Sequence, residues 1–394
     1  MRKITGAETL VMALKKNKVK RIYGVVGIPV TDFARLAQNK GIDYIGFRRE
    51  DAAVNAAAIA GYLNQEPGVS LTVSAPGFMN GIPALAAATV NGFPLIMISG
   101  SSQRKIIDLS RGDYEELDQY NVAKPFAKAA YRIDRPEDIG IGVARAFRTA
   151  VSGRPGGVYL DVPADMLQSF IEEDIADQIT YKPTHMNPKQ LADENSVAEA
   201  KKLIQKAKKP LVIIGKGAAY ARAENEIKDF IEKLNIPYLP MSMAKGLIDD
   251  VHKLSMASAR SLALKEADVV ILVGARLNWL LDHGEAPKFN PNAKFIQLDI
   301  MAEEFDSNRP ITVPLQGDIK SVLEQLIKVF DEQLDIENWI NVLQQKKDEN
   351  IKKISQNYNN HTIPMGFYEP LLIVKKLIDA NPDIYLVSEG ANTL

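Results

Sequence analysis

One glutamate lies where a β-strand pattern gives way to an alanine-rich helix, a position suited to proton transfer. The stretch GFRREDAAVNAAAIAGYL, residues 46–63, puts Glu50 just after the short strand pattern DYIGF and at the start of the helix AAVNAAAIAGYL. Two interpretations are open. A solvated first helical turn accepts an acidic residue, because the helix dipole favours negative charge there. A carboxyl held away from water could instead relay protons near neutral pH.

Three loops in the same part of the chain also follow apolar strand patterns. They are Gly27-Ile28-Pro29 after RIYGVVG, SAPGFMNG at 74–81 after VSLTV, and SGSSQR at 99–104 within and after FPLIMISG. Ligands of open parallel α/β sheets bind beyond the carboxyl ends of the strands, and glycine lets backbone approach a flat ligand closely. Each loop alone is more simply a tight turn. Together with Glu50, the loops predict a binding edge.

The elements that must position these residues alternate between short β-rich runs and helical patterns. This alternation predicts an α/β fold of doubly wound domains, with mostly parallel sheets covered on both faces. Polar, proline-containing and Lys/Gln/Asn-rich segments mark the linkers. The predicted divisions are a first domain at 1–165, a linker at 166–195, a Rossmann-like middle domain at 196–335, a linker at 336–365, and the start of a third α/β domain at 366–394.

Composition excludes several classes of function. The chain has 394 residues, 46% apolar and 25% charged, and a net charge of -1, so no basic field attracts nucleic acid or a membrane surface. There is no cysteine, and therefore no disulfide framework or thiolate nucleophile. The four histidines, at 185, 252, 283 and 361, have no metal-site spacing. A charged N-terminus and the lack of a membrane-length apolar run favour a cytoplasmic protein.

Three elements in order identify a resemblance. Glu50 before an Ala-rich helix, then LTVSAPGFMNG, then VNGFPLIMISGS resemble the pyrimidine-binding domain of thiamine diphosphate enzymes, whose second element usually reads T-x-G-P-G-x-x-N. More narrowly, SGSSQRKIIDLSRGDYEELDQYNVAKPFAKAAYR, SGRPGGVYLDVPADML, PMSMAKG, VGARLNWLL and DSNRPI resemble the branch of that family that decarboxylates oxalyl-CoA in oxalate catabolism. The resemblance extends over essentially all 394 residues.

The resemblance implies a carbon–carbon lyase acting through a thiamine diphosphate ylide that attacks oxalyl-CoA and releases formyl-CoA and CO₂. In it, Glu50 hydrogen-bonds N1′ of the cofactor aminopyrimidine. Tyr114, with Glu115 beside it, matches an active-site tyrosine that holds a water or the substrate carboxylate. A buried structural tyrosine remains the alternative for Tyr114. The implied cofactor-binding residues are Ile28, Pro76, Asn80 and Asn392.

The middle domain offers a second candidate site. Lys216 lies in the Gly215-Lys216-Gly217 turn after a strand pattern, Arg276 follows another, and Asp299 ends a third. Cations suit phosphates and an aspartate suits a ribose diol, and the resemblance implies ADP as an activator here. The implied ADP residues are Arg154, Lys216, Arg276, Asp299 and Ile319, and the implied CoA residues are Arg260 and Ser261. A fold that retains no ligand is the alternative.

One family element is absent from the sequence. Thiamine diphosphate enzymes hold Mg²⁺ and the diphosphate on a Gly-Asp-Gly element in their third domain, and this sequence contains none. The resemblance therefore implies an N-terminal portion of a homo-oligomeric (dimeric or tetrameric) decarboxylase, inactive in isolation unless a partner supplies the third domain. Two alternatives are a non-catalytic nucleotide-binding protein and a 2-hydroxyacyl-CoA lyase. Those lyases usually carry Phe-Gln-Glu where this chain has Tyr114-Glu115-Glu116.

Overall fold

The computed structural model describes residues 2–184, 187–358, 363–366, 368–381 and 383–387. The chain divides into two compact units, Met1–Lys189 and Gln190–Leu394. Each unit is built on its own parallel sheet with helices packed against it. The doubly wound α/β class predicted from the sequence is therefore confirmed.

The first unit contains a six-stranded parallel sheet in the order β3-β2-β4-β5-β7-β6. Its described strands, with the separate antiparallel pair of β1 and β8, are β1 Lys3–Thr5, β2 Arg21–Val25, β3 Asp43–Gly46, β4 Gly68–Thr72, β5 Leu95–Ser101, β6 Ala129–Arg132, β7 Gly157–Pro163 and β8 Phe170–Glu172. The strand order reverses at β2, because β3 lies on one side of it and β4 on the other. Sheets of this kind carry their ligand-binding crevice at such a switch point, beyond the carboxyl ends of the strands, here β2 and β4.

Close packing explains the alanine-rich helices of the first unit. Its described helices are α1 Gly6–Lys16, α2 Thr31–Asn39, α3 Glu50–Asn64, α4 Pro76–Asn91, α5 Arg104–Ile107, α6 Gln119–Ala123, α7 Ile139–Val151, α8 Ala164–Gln168 and α9 Glu173–Ile179. A Cβ at Gly68 would lie 1.8 Å from Ala57 O, and one at Gly61 would lie 2.1 Å from Pro94 O. Larger side chains on α3 would push it away from the sheet, so the small residues hold Glu50 at the sheet edge.

The second unit has a five-stranded parallel sheet in the order β10-β9-β11-β12-β13. Its described strands are β9 Pro210–Ile214, β10 Tyr238–Pro240, β11 Val269–Val273, β12 Lys294–Asp299 and β13 Val313–Gln316. Its described helices are α10 Glu194–Lys206, α11 Lys216–Tyr220, α12 Glu224–Leu234, α13 Arg260–Glu266, α14 Ile319–Val329, α15 Glu337–Asn357 and α16 Tyr368–Ala380. Its strand order reverses at β9, between β10 and β11.

Parts of both predicted linkers belong to the units. Within 166–195, β8 pairs with β1, and α9 buries Ala176. Within 336–365, α15 buries Trp339 and Leu343, and Trp339 Nε1 donates a hydrogen bond to Pro210 O at 3.1 Å. Burial of these apolar side chains favours regular structure over a free connection. The domain limits taken from the sequence stay predictions.

The end of the described chain differs from the sequence prediction. The strand predicted in PDIYLVSEG is not formed over residues 383–387, the part of it that the structure describes. Helix α16 has no buried side chain among its described residues. A strand needs a neighbour for its backbone hydrogen bonds, and none is paired with these residues. None of the described helices is long and apolar enough to cross a membrane.

Candidate active site

Glu50 is the first residue of α3 and is buried, with a relative exposure of 9%. Its Oε2 accepts a hydrogen bond from Asn80 Nδ2 at 3.2 Å. Its Oε1 borders Gly77, where a Cβ would lie 3.1 Å away. The acidic residue that fits the solvated first turn is instead the next one, Asp51, which pairs with Arg49 at 3.0 Å. Glu50 is thus enclosed at the sheet edge, and a carboxyl so enclosed can bind a ligand and exchange a proton with it.

The loops after β2 and β4 meet at the crevice. Ser74 Oγ donates a hydrogen bond to Ile28 O at 3.2 Å, while the Ile28 side chain is 81% exposed. A Cβ at Gly27 would lie 2.8 Å from Val73 Cγ2, and one at Gly77 would lie 2.3 Å from Val73 Cγ1. The glycines therefore let the two loops close on Val73, which leaves Ile28 as an exposed apolar surface at the switch point.

Ala75 has an unusual backbone at the start of this site. Its φ of 40° and ψ of -91° lie in a region that favours glycine. Pro76 follows as the first residue of α4, whose first turns carry Gly77 beside Glu50 and Asn80 bonded to it. The family pattern has glycine where this chain has Ala75, so the strained alanine adopts a conformation that glycine would adopt at lower cost.

Tyr114 and Glu115, which the sequence analysis assigned together, have different surroundings in the structure. Tyr114 is 95% exposed, so the alternative of a buried structural tyrosine is wrong, and no described residue hydrogen-bonds its phenol. Glu115, in contrast, makes a very close contact from Oε2 to Ser74 Oγ. Burial, and then the charge of Asp113, raise the pKa of the Glu115 carboxyl. Glu115 thus contacts the β4 loop, whereas Tyr114 does not join Glu50 in this structure.

Sequence reasoning missed Gln119, which is fully buried beneath the same loop. Its Oε1 accepts from Ala75 N at 2.5 Å, and its Nε2 donates to Gly100 O at 2.9 Å and Tyr159 OH at 2.8 Å. Burial raises the pKa of Tyr159 well above its ordinary value, so its phenol stays neutral. A lone glutamine in the polar run DYEELDQYN carries no pattern that could have indicated this role.

In the second unit, the predicted nucleotide residues follow neighbouring strands of one sheet edge. Lys216 follows β9, Arg276 follows β11 and Asp299 ends β12. The glycines around Lys216 serve packing, because a Cβ at Gly215 would lie 2.3 Å from Gly274 O and one at Gly217 would lie 2.9 Å from Gly274 Cα. Ile319 follows β13 at the same edge, so four of the five predicted residues lie there, while the glycine motif is explained without a ligand.

Local contacts constrain how these residues could bind a nucleotide. Arg276 Nη1 pairs with Glu304 at 3.0 Å, and Asp299 Oδ1 accepts from Met301 N at 3.0 Å. Ile319 begins α14 with its side chain 5% exposed in the core, so its backbone alone could contact a ligand. Arg154 belongs to the first unit, in the turn before β7, where it donates to Val90 O. That turn lies at the amino-end edge of its sheet, opposite Glu50.

The two predicted CoA residues differ in their surroundings. Arg260 donates to Leu280 O at 3.1 Å and to Met241 Sδ at 3.6 Å, and burial lowers the pKa of its guanidinium. Within the described part of the chain, no carboxylate pairs with Arg260. Ser261 is exposed beside it. The predicted cofactor residue Asn392 lies outside the described residues, as do His185 and His361.

A metal ligand set is not found among the described residues, which contain no group of three His, Cys, Asp or Glu side chains that could hold an ion. The carboxyl edge of the first sheet does fit the ring portion of a thiamine cofactor. It offers an enclosed carboxyl with an amide partner, an exposed aliphatic side chain and glycine-lined loops. A flat, nitrogen-containing ring can accept and donate hydrogen bonds at that carboxyl.

Comparison with known proteins identifies the class. Residues 4–122 match the thiamine pyrophosphate enzyme N-terminal TPP binding domain, and residues 197–326 match the thiamine pyrophosphate enzyme central domain. The chain therefore belongs to the thiamine pyrophosphate (thiamine diphosphate) enzyme family. This confirms the family resemblance seen in the sequence.

Individual relatives within the family show which of its enzymes the chain is similar to. The chain is 54% identical to an oxalyl-CoA decarboxylase of Escherichia coli over 391 residues, which cover 99% of this chain and 69% of that protein. It is 40% identical over 400 residues to a 2-hydroxyacyl-CoA lyase of Arabidopsis thaliana, covering 99% and 69%. It is 39% identical over 396 residues to 2-hydroxyacyl-CoA lyase 1 of Homo sapiens, covering 99% and 67%. The chain is thus a homologue of decarboxylases and lyases that act on acyl-CoA thioesters.

Proposed function

We propose that this chain forms the ring-binding and nucleotide-binding parts of an oxalyl-CoA decarboxylase. In the reaction, the bond between the carboxylate carbon and the thioester carbonyl carbon of oxalyl-CoA breaks. Carbon dioxide leaves, and the carbonyl carbon takes a proton to give formyl-CoA. The observation that carries the proposal is the enclosed Glu50 carboxyl with its Asn80 partner, in a chain 54% identical to an oxalyl-CoA decarboxylase.

Each residue of the first unit has a defined task in this proposal. When bound, thiamine diphosphate would supply a nucleophilic carbon for the thioester carbonyl and a cationic ring that can hold the electron pair released with CO₂. Glu50 binds the aminopyrimidine ring and exchanges a proton through its carboxyl, while Asn80 fixes that carboxyl. Ile28 offers an apolar surface to the cofactor. Glu115 holds the β4 loop through Ser74, and Tyr114 stays exposed for substrate.

We further propose that the second unit binds ADP as an activator, with Lys216 and Arg276 contacting phosphates and Asp299 the ribose. Ile319 through its backbone, and the CoA contacts Arg260 and Ser261, complete the expected set in this unit, while Arg154 of the first unit stays a prediction from the family resemblance. Arg260 is a good candidate for a CoA phosphate because its described partners are a carbonyl and a thioether, not a carboxylate. The Mg²⁺ site is not assigned to any described residue. A cytoplasmic homo-oligomer is also expected.

The competing activity is 2-hydroxyacyl-CoA cleavage, favoured by relatives at 39–40% identity. A chimera separates the two. In it, this chain replaces the 391 aligned residues of the Escherichia coli oxalyl-CoA decarboxylase. With thiamine diphosphate and Mg²⁺, we expect formyl-CoA from oxalyl-CoA and no cleavage of a 2-hydroxyacyl-CoA. A folded chimera that cleaves only the 2-hydroxyacyl substrate, or neither substrate, would contradict the proposal.

A further inference from the structure

Gln119 connects three elements of the first unit through one side-chain amide. The Ala75 N–H donates to its Oε1, whereas its Nε2 donates to Gly100 O on β5 and to Tyr159 OH on β7. Glutamine has one acceptor oxygen and two N–H donors, and all three are used. A fully buried amide with this many partners is costly to replace, because each lost partner leaves a buried polar group unsatisfied.

The strained residue is the one that Gln119 binds. Ala75 has a backbone conformation that is strained for a residue with a side chain, with φ 40° and ψ -91°. Such a conformation persists only where surrounding contacts impose it. Two hydrogen bonds are made at the strained residue itself: Ala75 N donates to Gln119 Oε1, and Ala75 O accepts from Met79 N at 2.9 Å within the first turn of α4. Gln119 is the side chain that fixes the Ala75 amide from outside α4, and Glu115 contacts the preceding Ser74.

The conformation of Ala75 determines where α4 begins. Pro76 is the first residue of α4, and one turn later Asn80 donates to Glu50 at 3.2 Å. A rotation at Ala75 would turn the first residues of α4 and move Asn80 away from the Glu50 carboxyl. Gln119 therefore acts on Glu50 through two intermediates, the Ala75 backbone and the Asn80 amide.

We propose that Gln119 is a positioning residue that holds Ala75 in its strained conformation and so keeps Asn80 on Glu50 for binding of the cofactor ring. This deepens the proposed function and rests on it for the cofactor. The alternative is a purely structural role in the polar core under the sheet edge. The positioning role and the structural role predict different effects of Ala75→Gly, because glycine adopts this backbone conformation without strain.

The test combines Gln119→Leu, Ala75→Gly and the double variant. In the chain without ligand, hydrogen exchange followed by mass spectrometry reports the peptide that spans residues 74–80. Loss of this hydrogen bond should let the strained turn open more often, so the amides in the first turn of α4 should exchange about tenfold faster in Gln119→Leu. Ala75→Gly should restore most of the protection in the double variant. If glycine gives no rescue, or if Gln119→Leu exchanges like wild type, the proposal fails.

The chimera supplies the functional readout. Gln119→Leu should raise KM for thiamine diphosphate about tenfold, with a smaller change in kcat. Tyr159→Phe is the matched control, because it removes a partner of Nε2 but leaves the bond to Ala75. It should lower the unfolding midpoint without changing KM, and an equal rise in KM for both variants would indicate a structural role.

If Gln119→Leu does not fold, Gln119→Asn, whose side chain is shorter, replaces it and carries the same expectations. A chimera without any decarboxylase activity would refute the proposed function, while exchange at Ala75 still decides the role of Gln119.

Discussion

At the scale of single residues, the proposed reaction requires the Glu50 carboxyl to exchange a proton with the cofactor ring. Glu50→Gln keeps the side-chain shape and an acceptor for Asn80 but cannot exchange a proton with the cofactor ring. Loss of acid–base catalysis typically costs about 10²–10⁴-fold in rate. We expect a loss in this range in kcat for formyl-CoA formation by the chimera, measured under saturating cofactor. The neighbouring Asp51→Asn, which alters the exposed pair with Arg49, should leave kcat within a few-fold. Equal rates for Glu50→Gln and wild type would remove Glu50 from the mechanism.

Ala75 supports a second prediction at this scale, now for stability. Relief of about 1–3 kcal/mol of backbone strain should exceed the entropy that glycine adds to the unfolded chain, about 0.4–1 kcal/mol. Ala75→Gly should therefore raise the free energy of unfolding by about 1 kcal/mol, measured by urea titration. Ala60→Gly in the middle of α3 is the control and should lower it by about 1 kcal/mol. A destabilised Ala75→Gly would mean that its backbone is not strained.

At the scale of elements, the end of α7 is bound by a partly buried lysine. Lys128 Nζ donates to Ser152 O and to Arg154 O, the latter at 2.6 Å. Burial and the nearby Arg154 charge lower the pKa of Lys128 to about 8 from an ordinary 10.5. Between those pH values the unfolded chain binds more protons than the folded chain, so this group makes stability rise with pH.

Replacement by methionine isolates the contribution of Lys128. The free energy of unfolding of wild type minus that of Lys128→Met should rise from pH 8 to pH 10.5 and be flat below pH 7. Subtraction removes the titration of the other lysines, which both proteins share. Lys124→Met, on an exposed neighbour, is the control and should give a much smaller slope. A difference that falls across this window would mean that the lysine is charged more readily when folded.

At the scale of the whole molecule, two parallel sheets offer two ligand edges. If the second unit binds ADP, a concentration of 100 times Kd should add about 2.7 kcal/mol to its stability, seen as a higher thermal midpoint. Hydrogen exchange should slow near Lys216, Arg276 and Asp299 and not near Glu50. Lys216→Met should reduce the shift, whereas Lys253→Met, on an exposed lysine of the same unit, should not. No shift with ADP would favour a fold that retains no nucleotide.

The sequence predicted the fold more completely than it predicted the first candidate site. Alternating apolar runs and glycine turns were enough for two parallel sheets, since β9 and β11 are apolar along their length and end at turns. The sequence could not show whether Glu50 is solvated or buried, because the residue pattern of a first helical turn is the same in both cases. Its burial depends on Asn80, thirty residues away. The contacts of Gln119 and the φ of Ala75 are consequences of packing that leave no periodic signal. The strand expected near the end is not formed over residues 383–387, its main described part, because no neighbouring strand pairs with those residues.

The pairing of β1 with β8 has a consequence for synthesis of the chain. Lys3 lies opposite Glu172, so the first element of this unit finds its partner only after the whole parallel sheet has been made. Domains fold from the N-terminus as they leave the ribosome, yet here the N-terminal strand must wait until β8 has emerged. Residues that are translated before the whole parallel sheet are therefore among the last of this unit to become paired. This order leaves the backbone of Lys3–Thr5 open to chaperones or proteases throughout elongation of the first unit.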